Sequence, residues 1–148
     1  MPWLKRFWYF ARNAAPPGIF SSAAPACEHS TLSAAGPAAD NVLCSQAGAA
    51  LEKMPGGAGF LAKYQKRFNQ GIKFDAPFAY DAVYIAVDAM KRANSTDPAK
   101  VLAAMPSTKY EGVIGTTTFD AKGDLTHGII SIYGYKSGKK TFLDQVKM

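Results

Sequence analysis

The chain has 148 residues, of which 48% are hydrophobic, and carries 17 Lys and Arg against 11 Asp and Glu, for a formal net charge of +6. That length suffices for one domain with a real core. No run approaches the roughly 18 consecutive apolar residues of a membrane-spanning helix, and the basic residues are too dispersed to form a binding tail.

Residues 1 to 26 hold Lys5 and Arg6, an aromatic cluster from Phe7 to Phe10, and Ala24-Pro25-Ala26, which has the form of a signal-peptidase site. Arg12 and Asn13 interrupt the apolar stretch, so the segment reads as a frayed amphipathic leader rather than a secretory signal. Cys27 and Cys44 follow. Two cysteines can pair in an oxidising compartment or remain separate buried thiols, and their spacing does not decide between these. His29 beside Ser30, with Asp40 nearby, offers the residue types of a hydrolase triad, but no G-x-S-x-G elbow presents the serine. A short strand is expected over residues 41 to 47.

The stretch "LEKMPGGAGFLAKYQKRF" places three glycines before a basic helix. A Walker loop requires four residues between its glycines and then Gly-Lys-Ser/Thr, and a dinucleotide fingerprint requires G-x-G-x-x-G after a strand; neither pattern is present. The glycines are therefore expected to form a flexible lead-in to a helix in which Phe60, Leu61, Tyr64 and Phe68 share a stripe, Lys63, Lys66, Arg67 and Gln70 face away, and Gly71 supplies the stop. After Pro77, "FAYDAVYIAVDAMKRANS" is a stronger helix. Its polar residues Asp81, Tyr84, Asp88, Lys91, Arg92 and Ser95 form one narrow strip, and the remaining wide apolar face requires more than one neighbour. Next, Asp97 caps a short helix begun by Pro98, with Val101, Leu102 and Met105 directed inward and Pro106 ending it.

From Val113 the period changes. "VIGTTTFD" is strand-like, "AKGD" is a turn, and "GIISIYGYKSGKKTFL" reads as two strands broken at Ser137-Gly138. "FDAKGD" fails as a calcium loop because Lys122 occupies a ligand position. His29 and His127 lack metal-ligand spacing. No catalytic residue, metal site or cofactor is expected, and the chain reads as a non-enzyme of mixed α/β class.

Taken in order, "LSAAGPAADNVLC", "KMPGGAGFLAKYQKRF", "PFAYDAVYIAVDAMKRA" and "YEGVIGTTTFDAKGDLTHGIISIYGYKSG" resemble the C-terminal part of the periplasmic leucine/isoleucine/valine-binding proteins of ABC transporters. The first run departs from the family pattern at Asp40 and Asn41. The resemblance covers residues 27 to 148 and leaves the leader at 1 to 26 unmatched. It implies a partial type I periplasmic-binding fold, a two-lobed clamp with helices packed on an incomplete sheet and strands at the C-terminus. The helix from Gly57 would sit in the second lobe with residues 35 to 44, and the helix near Phe78 would cross to the first.

By the same resemblance the chain is the branched-chain amino-acid-binding component of an importer, works with a transporter permease in the periplasm, and is a truncated form with little or no affinity of its own. Phe78 or Tyr80 would wall the ligand side chain. An oxidising periplasm favours a Cys27 to Cys44 disulfide, adding about 3 kcal/mol in the chain-entropy model. The alternatives are a self-associating structural protein and a basic nucleic-acid module using Lys63, Lys66 and Arg67, although no nucleic-acid partner is expected.

Overall fold

The computed structural model describes the backbone of residues 20–21 and, in full, residues 39–40 and 42–148. In chain order the elements are β1 (Phe20–Ser21), β2 (Leu43–Ala47), α1 (Gly57–Phe68), α2 (Ala76–Ala93), α3 (Pro98–Ala104), β3 (Lys109–Glu111), β4 (Thr116–Thr118), β5 (Ile129–Lys136) and β6 (Lys139–Lys147). The mixture of helix and sheet agrees with the α/β expectation. The leader, Cys27, His29 and Ser30 lie outside the described residues.

Two compact units divide the chain, one holding the residues up to Ala49 together with Gly128–Met148, the other Ala50–His127. The helix from Gly57 therefore belongs with α2 and not, as the family analogy suggested, with the strand at Cys44.

The first unit is a four-stranded sheet in the order β1-β2-β5-β6. β1 runs parallel to β2, and the other pairs are antiparallel. Ser131, Ile132, Tyr133 and Tyr135 are all buried, as in a central strand covered on both faces. The β5–β6 hairpin turns at Ser137 (φ 50°) and Gly138 (φ 76°), the doubly left-handed geometry of a two-residue type I′ loop. Asp40 fastens that turn: its Oδ1 accepts from the Ser137 amide at 2.6 Å. Asp40 is thus a loop anchor. Lys140 lies with its Nζ 4.1 Å from the centre of the Tyr133 ring and donates to Gln46 Oε1 at 2.8 Å, which gives the buried amide of Gln46 a charged partner.

In the second unit α1 starts at Gly57 as expected but stops at Phe68, because Asn69 takes the left-handed conformation (φ 48°) two residues before Gly71. Asn94 ends α2 in the same way. α3 has the expected cap, with Asp97 Oδ1 accepting from the Lys100 amide at 3.1 Å. Leu102 departs from expectation: it is 71% exposed, while Val101 and Met105 are half-buried. The strand expected from Val113 begins only at Thr116 and pairs with β3, so Val113 and Ile114 belong to the connecting loop. The "AKGD" turn is present as read, with Asp120 Oδ1 accepting from the amides of Lys122 and Asp124 at 2.8 and 2.9 Å.

Gly56 and Gly57 form a packed joint, in contrast to the flexible lead-in read from their composition. The Gly56 amide donates to the Val113 carbonyl at 3.0 Å, and a Cβ there would stand 2.8 Å from Val113 Cα. One at Gly57 would collide with the Leu51 carbonyl oxygen. These two positions lack side chains because other backbone occupies that space.

Candidate binding surface on the second helix

The side that α2 turns toward its own unit carries Pro77, Ile85 and Ala89 together with Asp81 from the polar strip. Asp81 is 1% exposed, and its carboxylate accepts from the Val113 amide at 3.0 Å and the Ile114 amide at 2.8 Å. Gly112, at the start of that loop, lies so close that a Cβ would overlap the carboxylate. Two and three turns further on, Asp88 and Arg92 pair at 2.8 Å. The Arg92 guanidinium also donates to Ser107 Oγ at 2.6 Å, to Thr108 Oγ1 at 2.8 Å and to the Ala104 carbonyl, joining α2 to the end of α3. Planar Arg serves here because one head can satisfy several acceptors in fixed directions.

The flank of α2 that carries Tyr80, Val83, Tyr84 and Val87 is exposed, and it continues onto α1 as a row of rings. Phe68 lies 4.7 Å from Tyr64, Tyr64 6.0 Å from Phe60, Phe60 5.2 Å from Tyr80, and Tyr80 4.7 Å from Tyr84, centroid to centroid. These separations and tilts are the ones aromatic pairs prefer. Tyr80 is 42% exposed within the row. Its hydroxyl is held above the usual tyrosine range, first by a hydrogen bond to Tyr84 and then by partial desolvation. Tyr110 is raised too, by burial first and then by the negative charge of Asp81.

Of the two residues expected to contact a ligand, only Tyr80 stands in this row. Phe78 points elsewhere on the helix and packs on Phe74 with centroids 5.2 Å apart. Positions two apart on a helix lie some 200° around it, so the two do not line one surface. Cys44 is buried in β2. Its expected partner Cys27 lies outside the described residues.

Chemically, the row offers flat apolar area with hydroxyl edges, suited to a small hydrophobic side chain. The Asp81 carboxylate is committed to two amides and is not available to an ammonium group. Lys63, Lys66 and Arg67 are exposed, with Arg67 5.8 Å over the Phe68 ring. Among the described residues no group of three metal-ligating side chains occurs, and no helix is long and apolar enough to cross a membrane. The signal that sequence reasoning missed is the role of the polar strip: Asp81 accepts from loop amides, and Arg92 donates to the Ala104 carbonyl and the Ser107 and Thr108 hydroxyls.

Residues 11 to 139 match the sequence profile of the family described as periplasmic binding protein. Among solved structures, the leucine binding protein LivK of Thermotoga maritima is 19% identical with a TM-score of 0.74, the alignment covering 92% of this chain and 39% of that one. A putative branched-chain amino acid ABC transporter protein from Rhodospirillum rubrum is 25% identical with a TM-score of 0.61, covering 90% and 38%. LivJ of Streptococcus pneumoniae, solved in complex with isoleucine, is 22% identical with a TM-score of 0.62, covering 76% and 32%. The chain spans less than half the length of each of these structures. With the profile running along most of its residues and the same partial type I fold, the chain belongs to the periplasmic binding protein family.

Proposed function

We propose that this chain is the amino-acid-binding component, or a portion of it, of a periplasmic ABC importer for branched-chain or similarly apolar amino acids, and that it binds without catalysing a reaction. The observation that carries the reading is the half-exposed aromatic row, in which Tyr80 presents a ring edge and a hydroxyl on a rigid helix. Such a surface suits the burial of a Leu-sized side chain, which contributes roughly 1.5–3 kcal/mol. Relatives solved with isoleucine and with leucine support the ligand class. The transporter permease is the expected partner.

Tyr80 is the wall residue in this reading, and Phe78, held against Phe74, supports the helix start. Because the chain spans only 39% of the Thermotoga protein, it supplies one part of a binding site and has little affinity when alone. A graft tests the assignment. The matching segment of the Thermotoga protein is replaced by Gly57–Thr118, and leucine binding is measured by calorimetry for the graft and for its Tyr80→Ala and Phe78→Ala forms. Tenfold or greater weakening by Tyr80→Ala alone supports the reading. A folded graft that binds leucine equally well without the Tyr80 ring refutes it.

A further inference from the structure

Val113 commits both of its backbone polar groups to the placement of helices. Its amide donates to Asp81 Oδ1 at 3.0 Å, and its carbonyl accepts from the Gly56 amide at 3.0 Å. Gly56 in turn opens α1, its carbonyl accepting from the Phe60 amide at 3.0 Å. The Phe60 ring lies 5.2 Å from that of Tyr80, the residue before Asp81. The contacts therefore close on themselves, from Asp81 through Val113, Gly56, Phe60 and Tyr80 back to Asp81, all within the unit Ala50–His127.

The two halves of this circuit differ in stiffness. Aromatic pairs accept centroid separations from about 4.5 to about 7 Å, so the ring contact by itself does not fix the spacing of Phe60 and Tyr80. The backbone half leaves far less play. The buried Asp81 carboxylate accepts a second amide, that of Ile114, at 2.8 Å, and bonds to an ionised acceptor are the strong ones. The loop is closed on itself, the Gly112 amide donating to the Gly115 carbonyl at 3.0 Å, so it moves as one piece. Both joints are in van der Waals contact: a Cβ at Gly112 would overlap the carboxylate, and one at Gly56 would stand 2.8 Å from Val113 Cα.

We propose that the Asp81–Val113–Gly56 link is a positioning device, which sets the separation of Phe60 and Tyr80 and with it the continuity of the aromatic row across α1 and α2. Its bearing on binding rests on the reading of that row as the ligand wall: a row opened at the Phe60–Tyr80 joint would lose contact with a Leu-sized side chain while Tyr80 stayed in place. Proton NMR of the full chain, well below its unfolding midpoint, tests the link through the cross-peak between the two rings. Asp81→Ala frees the loop from α2, and Gly56→Ala pushes Val113 away from the start of α1. Each is expected to weaken the Phe60–Tyr80 cross-peak about sixfold, the inverse-sixth-power effect of moving from 5.2 Å to the roughly 7 Å outer limit of ring contact. The Tyr64–Phe68 cross-peak within α1 and the Tyr80–Tyr84 cross-peak within α2 stay as strong as before. Arg92→Ala, which breaks bonds at the far end of α2, leaves all three in place. A Phe60–Tyr80 cross-peak unchanged in either folded variant would overturn the proposal. Equal weakening by Arg92→Ala would overturn it too, because general loosening would then suffice. No amino acid enters this measurement, so leucine binding indifferent to Tyr80 would end the ligand reading and leave the link standing.

Discussion

Replacing Asp81 by Ala removes a side chain that holds the Gly112–Gly115 loop. The carboxylate is buried and accepts two backbone amides at 3.0 and 2.8 Å. Hydrogen bonds to a charged group contribute about 1.5–3 kcal/mol each, and a buried donor left unpaired costs about 1–3 kcal/mol. Val113 and Ile114 are only half-buried, so water replaces part of what is lost. Alanine also gains about 0.5 kcal/mol of helix propensity. The expected net loss is about 2 kcal/mol, or roughly 1 M in a urea midpoint. Asp81→Asn does no better, because its NH2 group would face one amide donor with another. Urea unfolding followed by circular dichroism gives the midpoint, and hydrogen exchange at the Val113 and Ile114 amides locates the change. An unaltered midpoint, or equal exchange at those amides in both proteins, would refute the reasoning.

Arg92→Ala loses four partners at once and is expected to destabilise by about 1–3 kcal/mol in the same assay, with Arg92→Lys recovering only part because an ammonium cannot reproduce the fork. Ser137→Asn places the favoured residue at a left-handed turn position and is expected to stabilise the β5–β6 hairpin by about 0.5 kcal/mol in thermal unfolding. Tyr80 and Tyr110 hold their protons more tightly folded than unfolded, so their contribution to stability is full below about pH 10 and is lost as pH rises through the raised values. Phenolate absorbance against pH is expected to show both titrating late, and unfolding midpoints to fall on the alkaline side. Thiol titration of the oxidised chain in denaturant checks the Cys27 to Cys44 pairing, which leaves no free thiol; finding two would end that expectation.

Much of the local structure in both units could be read from local chemistry. The Asp97-Pro98 start, the Asp120 turn and the Ser137-Gly138 hairpin each follow from residues a few positions apart. What escaped depends on distant partners. Asp81 was legible only as part of a polar strip, because the loop amides that it binds lie 32 and 33 residues away. Gly56 looked like slack because Val113, which fills the space beside it, is far along the chain. Leu102 was expected inside from its spacing, but the α2–α3 junction is held by Arg92 bonds rather than by that side chain. Tyr80 was legible as a candidate only through family resemblance. Its neighbours Phe60 and Tyr64 sat in a separate helical stripe, and periodicity within one helix cannot say which other helix it meets.

The most direct test of the functional account is a thermal unfolding scan of the purified chain with and without millimolar leucine, isoleucine or valine. A ligand present at a hundred times its dissociation constant adds about 2.7 kcal/mol, which moves the midpoint of a domain this size by several degrees. The account predicts a cooperative transition whose midpoint the amino acids leave in place, because it assigns to the chain one part of a binding site. A midpoint that rises by several degrees with leucine would contradict it and make these 148 residues a receptor in their own right.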